Sequence, residues 1–226
     1  MLLFGCDVQV KLRGYNKKIG GVLSKLLPLF PLDIVLLPGA PLPLHVFEPR
    51  YKEMIAECLA GDKLFGIVRS KEDEGVADIG CTAEILDVTK KYPDGRMDIA
   101  TAGRRRFEVM EVNQERMFLQ AEVLYIEDDP GSATKQEIDT AVDLHKQLLE
   151  IAGAEEEDES YSDIAQLSYY LAGSLPLDLD FKQNLLTMKS EAERMPAVVS
   201  YFQTILPTLR RTAMARKLAG GNGHVH

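Results

Sequence analysis

The chain has 226 residues, 46% of them hydrophobic, which is enough to bury a sizeable core as one domain or as two packed subdomains. A formal net charge of −9 argues against a broad nucleic-acid-binding surface. No apolar run approaches the roughly 18 residues needed to span a bilayer, so we expect a cytoplasmic protein with no membrane partner.

Residues 1–25 are basic. A secretory signal would place its charge before a longer apolar stretch, and here the order is reversed. We therefore interpret this segment as an N-terminal extension, with an organellar transit peptide as the alternative. Its one acidic residue is Asp7, and its basic residues are Lys11, Arg13, Lys17, Lys18 and Lys25.

Between residues 26 and 129, apolar residues come in short runs separated by Pro, Gly and Asp, as in the strands of a compact β structure. The clearest hairpin turns at Asp94-Gly95, because glycine tolerates a positive φ. One helix is predicted to begin at Pro49 and to end at Gly61. The candidate strands are Leu26–Phe30, Leu42–Val46, Leu64–Val68, Thr82–Val88, Arg96–Ala100, Arg106–Val112 and Phe118–Ile126.

Beyond Glu127–Gly131 the apolar period changes from two to 3.6, which predicts a helical part over residues 130–218. A long helix carries the apolar stripe that runs from Ile138 to Ala152. Further helices are predicted up to Gly173 and around Phe181–Met188.

The last helix is predicted to be capped by Ser190 together with Glu193. Pro196 and Pro207 interrupt its apolar stripe, and an interior proline removes a helix hydrogen bond. The acidic run at 155–159 is interpreted as a solvated loop, and residues 219–226 as a disordered tail.

Known catalytic motifs give little support for an enzyme. Ser132 and Lys135 match the SxxK pattern of penicillin-recognising enzymes, but the SDN and KTG elements that support it are absent. The N-terminus of a helix explains the pattern better. Phosphate-binding and zinc-protease motifs are absent as well, so the sequence predicts no enzyme, no cofactor and no metal site.

The remaining reactive or charged residues have structural explanations. Cys6, Cys58 and Cys81 are predicted to be reduced thiols, two of them in the core. His45 is predicted to be a hydrogen-bonded structural residue, because no nucleophile stands in recognisable relation to it. The one basic cluster is Arg104–Arg106, and alternate side chains of a strand point to opposite faces, so at most two of them share a surface.

Two runs of sequence, Leu27–Gly39 and Leu42–Tyr51, resemble the opening signature of the Lon protease N-terminal domain family. Later landmarks follow in family order, and the resemblance extends to about Arg210. These landmarks are Phe65–Val68, Ile79–Ile85, Asp94-Gly95, Gly103 with Arg106-Phe107, Phe118–Tyr125, Leu175–Leu177, Lys182–Leu186 and Glu193-Arg194.

The resemblance implies an α+β fold, with a PUA-like β-barrel subdomain at 26–129 and a helical bundle at 130–218. In the full protease this domain precedes an ATPase and a Ser-Lys peptidase domain. Neither motif set occurs here, so we expect neither activity.

The residues of the family motif are expected to be mainly structural. Aromatic and leucine positions should fill the core, Pro38-Gly39 should turn the chain, Glu48 and Arg50 should cap the helix or pair, and Arg106 should pair with a carboxylate. The motif residues are Phe30, Pro31, Leu32, Pro38, Gly39, Phe47, Glu48, Arg50, Tyr51, Gly66, Gly80, Gly103, Arg106 and Phe107.

Three functions compete at this stage. The leading hypothesis is a non-catalytic module, an adaptor in protein quality control, that binds unfolded polypeptide or a partner protein through apolar side chains in a groove between barrel and bundle. The second is RNA binding by the PUA-like barrel, which the basic N-terminus and Arg104–Arg106 favour. The third is a small-molecule hydrolase or ligand sensor, which a pocket joining His45 to a carboxylate would favour.

Overall fold

The structure, a computed structural model, describes residues 26–71, 75–154, 161 and 164–220. The predicted extension at 1–25 and the acidic loop at 155–159 lie outside these residues. The described residues form a mixed α/β fold with seven strands and five helices. The strands are β1 (Leu27–Leu32), β2 (Pro41–Val46), β3 (Leu64–Lys71), β4 (Gly75–Val76), β5 (Ile79–Lys91), β6 (Met97–Asn113) and β7 (Leu119–Ile126), and the helices are α1 (Pro49–Ala60), α2 (Lys135–Ala152), α3 (Leu167–Gly173), α4 (Leu179–Thr187) and α5 (Glu191–Gly220).

The chain divides into two compact units. The sheet unit contains the described residues up to Glu127 together with Leu177–Thr187, and the helical unit contains Asp128–Pro176 and the residues from Met188 onwards. The short helix α4 therefore belongs with the strands, a placement that the change of apolar period did not indicate.

The strands of the sheet unit are ordered β1-β7-β6-β5-β3-β4, with β2 paired to β6. The strand β1 also pairs with β3, in parallel. The strands β1, β7, β6, β5 and β3 therefore form a closed cycle of pairings. The predicted hairpin between β5 and β6 is confirmed. Its turn is closed by the N–H of Tyr92, which donates to the carbonyl of Arg96 at 2.9 Å, and Gly95 has a φ of 81°.

The prediction of two separate strands between Arg96 and Val112 is wrong, because β6 runs without a break from Met97 to Asn113. Gly103 lies within β6, at a point where the segment that contains Leu37 and Ala40 comes close to the strand. Its N–H donates to the carbonyl of Ala40 at 2.9 Å, and its carbonyl accepts from the N–H of Gly39, also at 2.9 Å. A Cβ at this position would collide with the carbonyl of Leu37, which explains why glycine interrupts the apolar pattern of a continuous strand.

The helix α1 packs its buried face into the main core of the sheet unit. Its first residue is Pro49, as predicted, and Gly61 follows its last turn. The ring of Tyr51 stacks on that of Phe30 with centroids 3.9 Å apart. Phe30, Leu32 and Phe47 of the motif were expected in the core, and of these Phe30 is buried, whereas Leu32 and Phe47 are only half-buried. The members of this core on α1 are Tyr51, Met54, Ile55 and Cys58.

A second, smaller core surrounds Phe107, whose side chain has no exposed surface. Gly66 lies against this ring, and a Cβ there would be 2.7 Å from both Phe107 and Leu29. The ring fills the space that the glycine leaves open, so a residue without a side chain on β3 accommodates a large ring from β6, two strands away in the order. The other buried members are Leu27, Leu29, Val68 and Ala121.

In the helical unit, the helix termini follow the predicted chemistry with one change. Thr134 and Glu137 form a complete capping box at the start of α2. At the start of α5, Ser190 accepts from the N–H of Glu193 at 3.2 Å as predicted, but the Glu193 carboxylate accepts from the N–H of Lys189, at 2.8 Å. Both prolines are accommodated inside α5, which runs to Gly220. No helix among the described residues is long and apolar enough to cross a membrane.

Arg194 of α5 is a fully buried charge at the centre of the helical unit. Its guanidinium donates to both carboxylate oxygens of Asp128 and, at 3.0 Å, to Glu191. It also donates to the hydroxyl of Ser168 at 3.0 Å and lies 4.3 Å from the ring centroid of Tyr169. A buried guanidinium needs such compensation because desolvation of an ion is costly.

Candidate functional site

Most residues of the predicted motif have structural contacts in the sheet unit. Arg50 donates to Glu48 at 2.9 Å, so the predicted pair at the start of α1 is confirmed. The Glu48 side chain makes no capping hydrogen bond, so the alternative role as a helix cap is wrong. Gly39 has a φ of 79° after Pro38 and turns the chain as expected.

The three consecutive arginines do not form one basic surface. Arg104 is exposed and donates to Glu84 at 2.5 Å, and exposed Arg105 pairs with Glu127. Arg106 is buried and donates to the main-chain carbonyl of Leu186 at 2.6 Å. The prediction that at most two of them share a surface is confirmed, and the carboxylates beside the exposed pair reduce the positive potential there.

His45 has the hydrogen-bonded role predicted for it. Its Nδ1 lies 2.5 Å from Asp98 Oδ1, and the hydroxyl of Tyr92 donates to the second oxygen of Asp98 at 2.9 Å. The hydrogen bond with His45 is the largest of the effects that lower the pKa of Asp98. His45 lines neither of the two clefts described below, so this dyad gives no support to a hydrolase.

Other potentially reactive groups are also in structural positions. Cys58 and Cys81 are buried free thiols, as predicted, and burial raises the pKa of Cys81 to about 12. A neutral buried thiol is a poor nucleophile. Lys135 is the first residue of α2, which confirms that the SxxK pattern marks a helix start. Within the described ranges, no three His, Cys, Asp or Glu side chains are grouped as a metal site requires.

The sheet unit contains a cleft of about 450 Å³ between the end of β3, the β4–β5 segment and α4. One wall is formed by the residues from Gly75 to Ile79, and the other by polar residues of α4. The lining residues are Arg69, Gly75, Val76, Ala77, Asp78, Ile79, Asp180, Gln183, Asn184 and Thr187.

Two side chains position the polar groups of this cleft. Arg69 Nη1 donates to Asp180 at 2.6 Å, and its Nε lies 3.8 Å from Asp33. Gln183 Nε2 donates to the main-chain carbonyl of Ile79 at 2.9 Å. Both side chains are thereby held in place in a cleft that combines apolar surface with a few fixed polar groups, as small-ligand sites do.

A second cleft, of about 770 Å³, lies within the helical unit. Its apolar lining comes from α2, α3 and α5, including Ile138, Val142, Leu167 and Met195. Carboxylates are also present in the lining, at Asp128, Asp129, Asp139, Asp143 and Glu191. Asp128 and Glu191 are committed to Arg194, so they contribute less negative charge to this cleft than their number suggests.

Strands β6 and β7 expose large apolar side chains on the face that points away from the core. Met110 is 56% exposed and Leu124 is 57% exposed. Leu124 is paired directly with Glu108, and Met110 is the extra residue of the β-bulge that follows Val109. We call this surface, with Glu108, the β6–β7 outer face. Methionine and leucine in such a position suit adaptable apolar contacts.

The sequence does not indicate the cleft between β3 and α4 or the β6–β7 outer face. Gln183 belongs to the motif landmark Lys182–Leu186, and no motif includes Arg69. Their shared cleft depends on a helix that is more than 100 residues away from β3 along the chain, so no local pattern indicates it. For Met110, the unequal exposure within β6 follows from its bulge, which an alternating apolar pattern does not reveal.

The mixed α/β fold described above is that of the Lon N-terminal domains. Residues 26–204 match the family model described as the ATP-dependent protease La (LON) substrate-binding domain, and the chain belongs to that family. The resemblance drawn from the sequence motifs is thus confirmed.

Solved structures show the same fold. A Lon N-terminal domain protein from Xanthomonas campestris is 28% identical, covers 79% of this chain and 99% of its own, and has a TM-score of 0.64. The N-terminal domain of the Mycobacterium avium complex Lon protease is 21% identical, covers 79% of this chain and 98% of its own, and has a TM-score of 0.56, which supports the fold alone.

Sequence relatives include much longer proteins. The Lon protease of Parabacteroides distasonis is 28% identical over 161 residues, which are 68% of this chain and 19% of the protease. The Lon protease of Flavobacterium johnsoniae is 27% identical over 203 residues, which are 81% of this chain and 24% of the protease. The chain thus spans about a fifth to a quarter of the length of the curated relatives that it matches.

Proposed function

We propose that this chain is a non-catalytic polypeptide-binding module that recognises unfolded segments of client proteins, as an adaptor in protein quality control. The observation that carries the proposal is the match of residues 26–204 to a substrate-binding domain. The bound class is polypeptide, because the family description refers to the substrates of a protease.

The β6–β7 outer face is the proposed contact surface. Unfolded segments expose apolar side chains, and removing these from water against Met110 and Leu124 is favourable. The charged residue Glu108, which is paired with Leu124, limits the extent of the apolar surface. An extended client must be ordered when it binds, so we expect weak affinity, on the order of micromolar.

The proposal also includes a closed barrel for the sheet unit and a ligand other than RNA. The pairing of β1 with both β3 and β7 supports a closed, PUA-like barrel. RNA binding is not favoured, since Arg104 and Arg105 pair with acidic residues and Arg106 is buried.

Client binding can be tested with a fluorescently labelled, reduced and carboxymethylated protein that cannot fold, titrated by anisotropy without nucleotide. Binding by apolar contacts should change little between low and high salt, whereas RNA binding weakens steeply with salt. A labelled RNA is therefore titrated in parallel. Tight, salt-sensitive RNA binding with no polypeptide binding would contradict the proposal.

The contact surface is tested with the double variant Met110→Ser/Leu124→Ser, which should weaken polypeptide binding about tenfold or more. Leu86→Ser is the matched control, because Leu86 is 52% exposed on β5 and lies outside the β6–β7 outer face. Equal affinities of the double variant and the wild type would remove this face from the proposal.

A further inference from the structure

The cleft between β3 and α4 holds an unusual pair of polar atoms. Within the described part of the chain, two side-chain atoms are buried without any hydrogen-bond partner: Arg69 Nε and Gln183 Oε1. Both belong to residues that line the same cleft. Buried polar groups are almost always paired in folded proteins, so two unpaired atoms at one cleft indicate a group that pairs with them from outside.

The neighbouring residues do not satisfy these two atoms. The carboxylate of Asp33 is 3.8 Å from Arg69 Nε, which is beyond hydrogen-bond distance. Gln183 keeps its amide orientation because its Nε2 already donates to the carbonyl of Ile79 at 2.9 Å. Turning the amide over would bring two oxygens together. The cleft therefore offers one N–H donor and one carbonyl acceptor.

This pattern selects the chemistry of the ligand. A carboxylate would accept from Arg69 but could not donate to Gln183 Oε1, and an ammonium group would do the reverse. One residue of an extended peptide presents its N–H and its carbonyl to the same side, and these two groups match the two unpaired atoms. Residues 75–79 form one wall, and the first two of them are β4, the last strand in the order, beside which extended peptides can bind.

We propose that this cleft binds the main chain of one residue of an extended peptide, with the carbonyl of that residue accepting from Arg69 Nε and its N–H donating to Gln183 Oε1. The inference rests on the proposed function for the identity of its natural ligand, an unfolded client. Such a contact is made to the main chain of the client and does not depend on its side chains, which suits a module that binds many different sequences.

The probe is tetra-alanine capped by an acetyl group and an N-methylamide, titrated into ¹⁵N-labelled whole chain and followed by NMR. We expect saturable shifts of the Arg69 Nε–H and the Gln183 side-chain amide signals. The N-methylated analogue keeps its carbonyls and loses its N–H groups, so it should bind about five- to tenfold more weakly. Gln183→Met should weaken binding of the unmethylated probe similarly, and Thr187→Ala, at the same cleft, is the control.

Several results would overturn the inference. Unmoved Arg69 and Gln183 signals would mean that solvent alone pairs with these atoms, and equal binding of the two probes would mean that the N–H plays no part. Because these readouts use the wild-type chain, they hold even if Gln183→Met fails to fold. Polypeptide binding without probe binding would refute only this inference, whereas probe binding without polypeptide binding would refute only the proposed function.

Discussion

Arg194 and Asp128 form a two-point ion pair between residues 66 positions apart in the chain, with Nη1 3.1 Å from Oδ1. Arg194 is at the start of α5 and Asp128 directly follows the sheet unit, so the pair fixes the first residue of the helical unit against its longest helix. The Arg194 side chain is fully buried, and its partner is 26% exposed.

Loss of one partner of this pair should be costly. We expect Arg194→Met or Asp128→Asn to destabilise the helical unit by about 3–5 kcal/mol, because the first removes the cation that two carboxylates share and the second removes a negative charge from beside a fully buried guanidinium. Urea unfolding followed by circular dichroism measures the change. Glu127→Gln is the control, since Glu127 pairs with Arg105 at an exposed site, and it should change stability by less than about 0.5 kcal/mol. Equal effects of Asp128→Asn and Glu127→Gln would refute the structural role of the buried pair.

Phe107 should contribute strongly to the stability of the sheet unit. Phe107→Ala should lower the free energy of unfolding by about 3–5 kcal/mol, because it deletes a fully buried ring and leaves a cavity. Met110→Ala, three residues later on the same strand and 56% exposed, should change it by less than about 0.5 kcal/mol. Similar values for the two variants would show that Phe107 is exposed in solution.

Gly66 should not tolerate a methyl group. A Cβ there would be 2.7 Å from the side chains of Leu29 and Phe107, so we expect Gly66→Ala to destabilise the fold by about 1–3 kcal/mol. Gly131→Ala is the matched comparison, since its Cβ would lie 3.4 Å from the nearest atom, in ordinary contact with Ser190. Thermal unfolding of both variants distinguishes them, and an unchanged melting temperature for Gly66→Ala would contradict the packing described for this strand.

The stability of the chain should fall in alkaline solution, in part through Cys81. Burial raises the pKa of its thiol from 9.0 to about 12, so between these values the unfolded chain loses a proton that the folded chain keeps. This contribution is complete below pH 9 and is lost towards pH 12, by about 1.4 kcal/mol per pH unit. Cys81→Ala should therefore lose stability less steeply above pH 9 in urea titrations. Parallel curves for variant and wild type would show that the thiol ionises equally in both states.

Much of the fold could be predicted from the sequence, but little of the candidate sites could. Pro49, Gly61 and the Asp94-Gly95 turn act locally, so their effect on the backbone could be predicted from residue type alone. Arg194 could not be assigned to the core, because its partner Asp128 is distant in sequence and a charged residue is ordinarily exposed. The same applies to Gln183, whose partner at Ile79 becomes a neighbour only when α4 joins the sheet.

The interrupted connectivity of the sheet unit has a consequence for synthesis on the ribosome. All seven strands have been made once Ile126 leaves the exit tunnel, but Leu186, whose carbonyl accepts from buried Arg106, has not. The ribosome adds about 5–20 residues per second, so helix α4 follows the completed strands by on the order of several seconds. During that interval the Arg106 guanidinium cannot yet donate to Leu186, so a nascent chain is more exposed to chaperones and proteases than a released one.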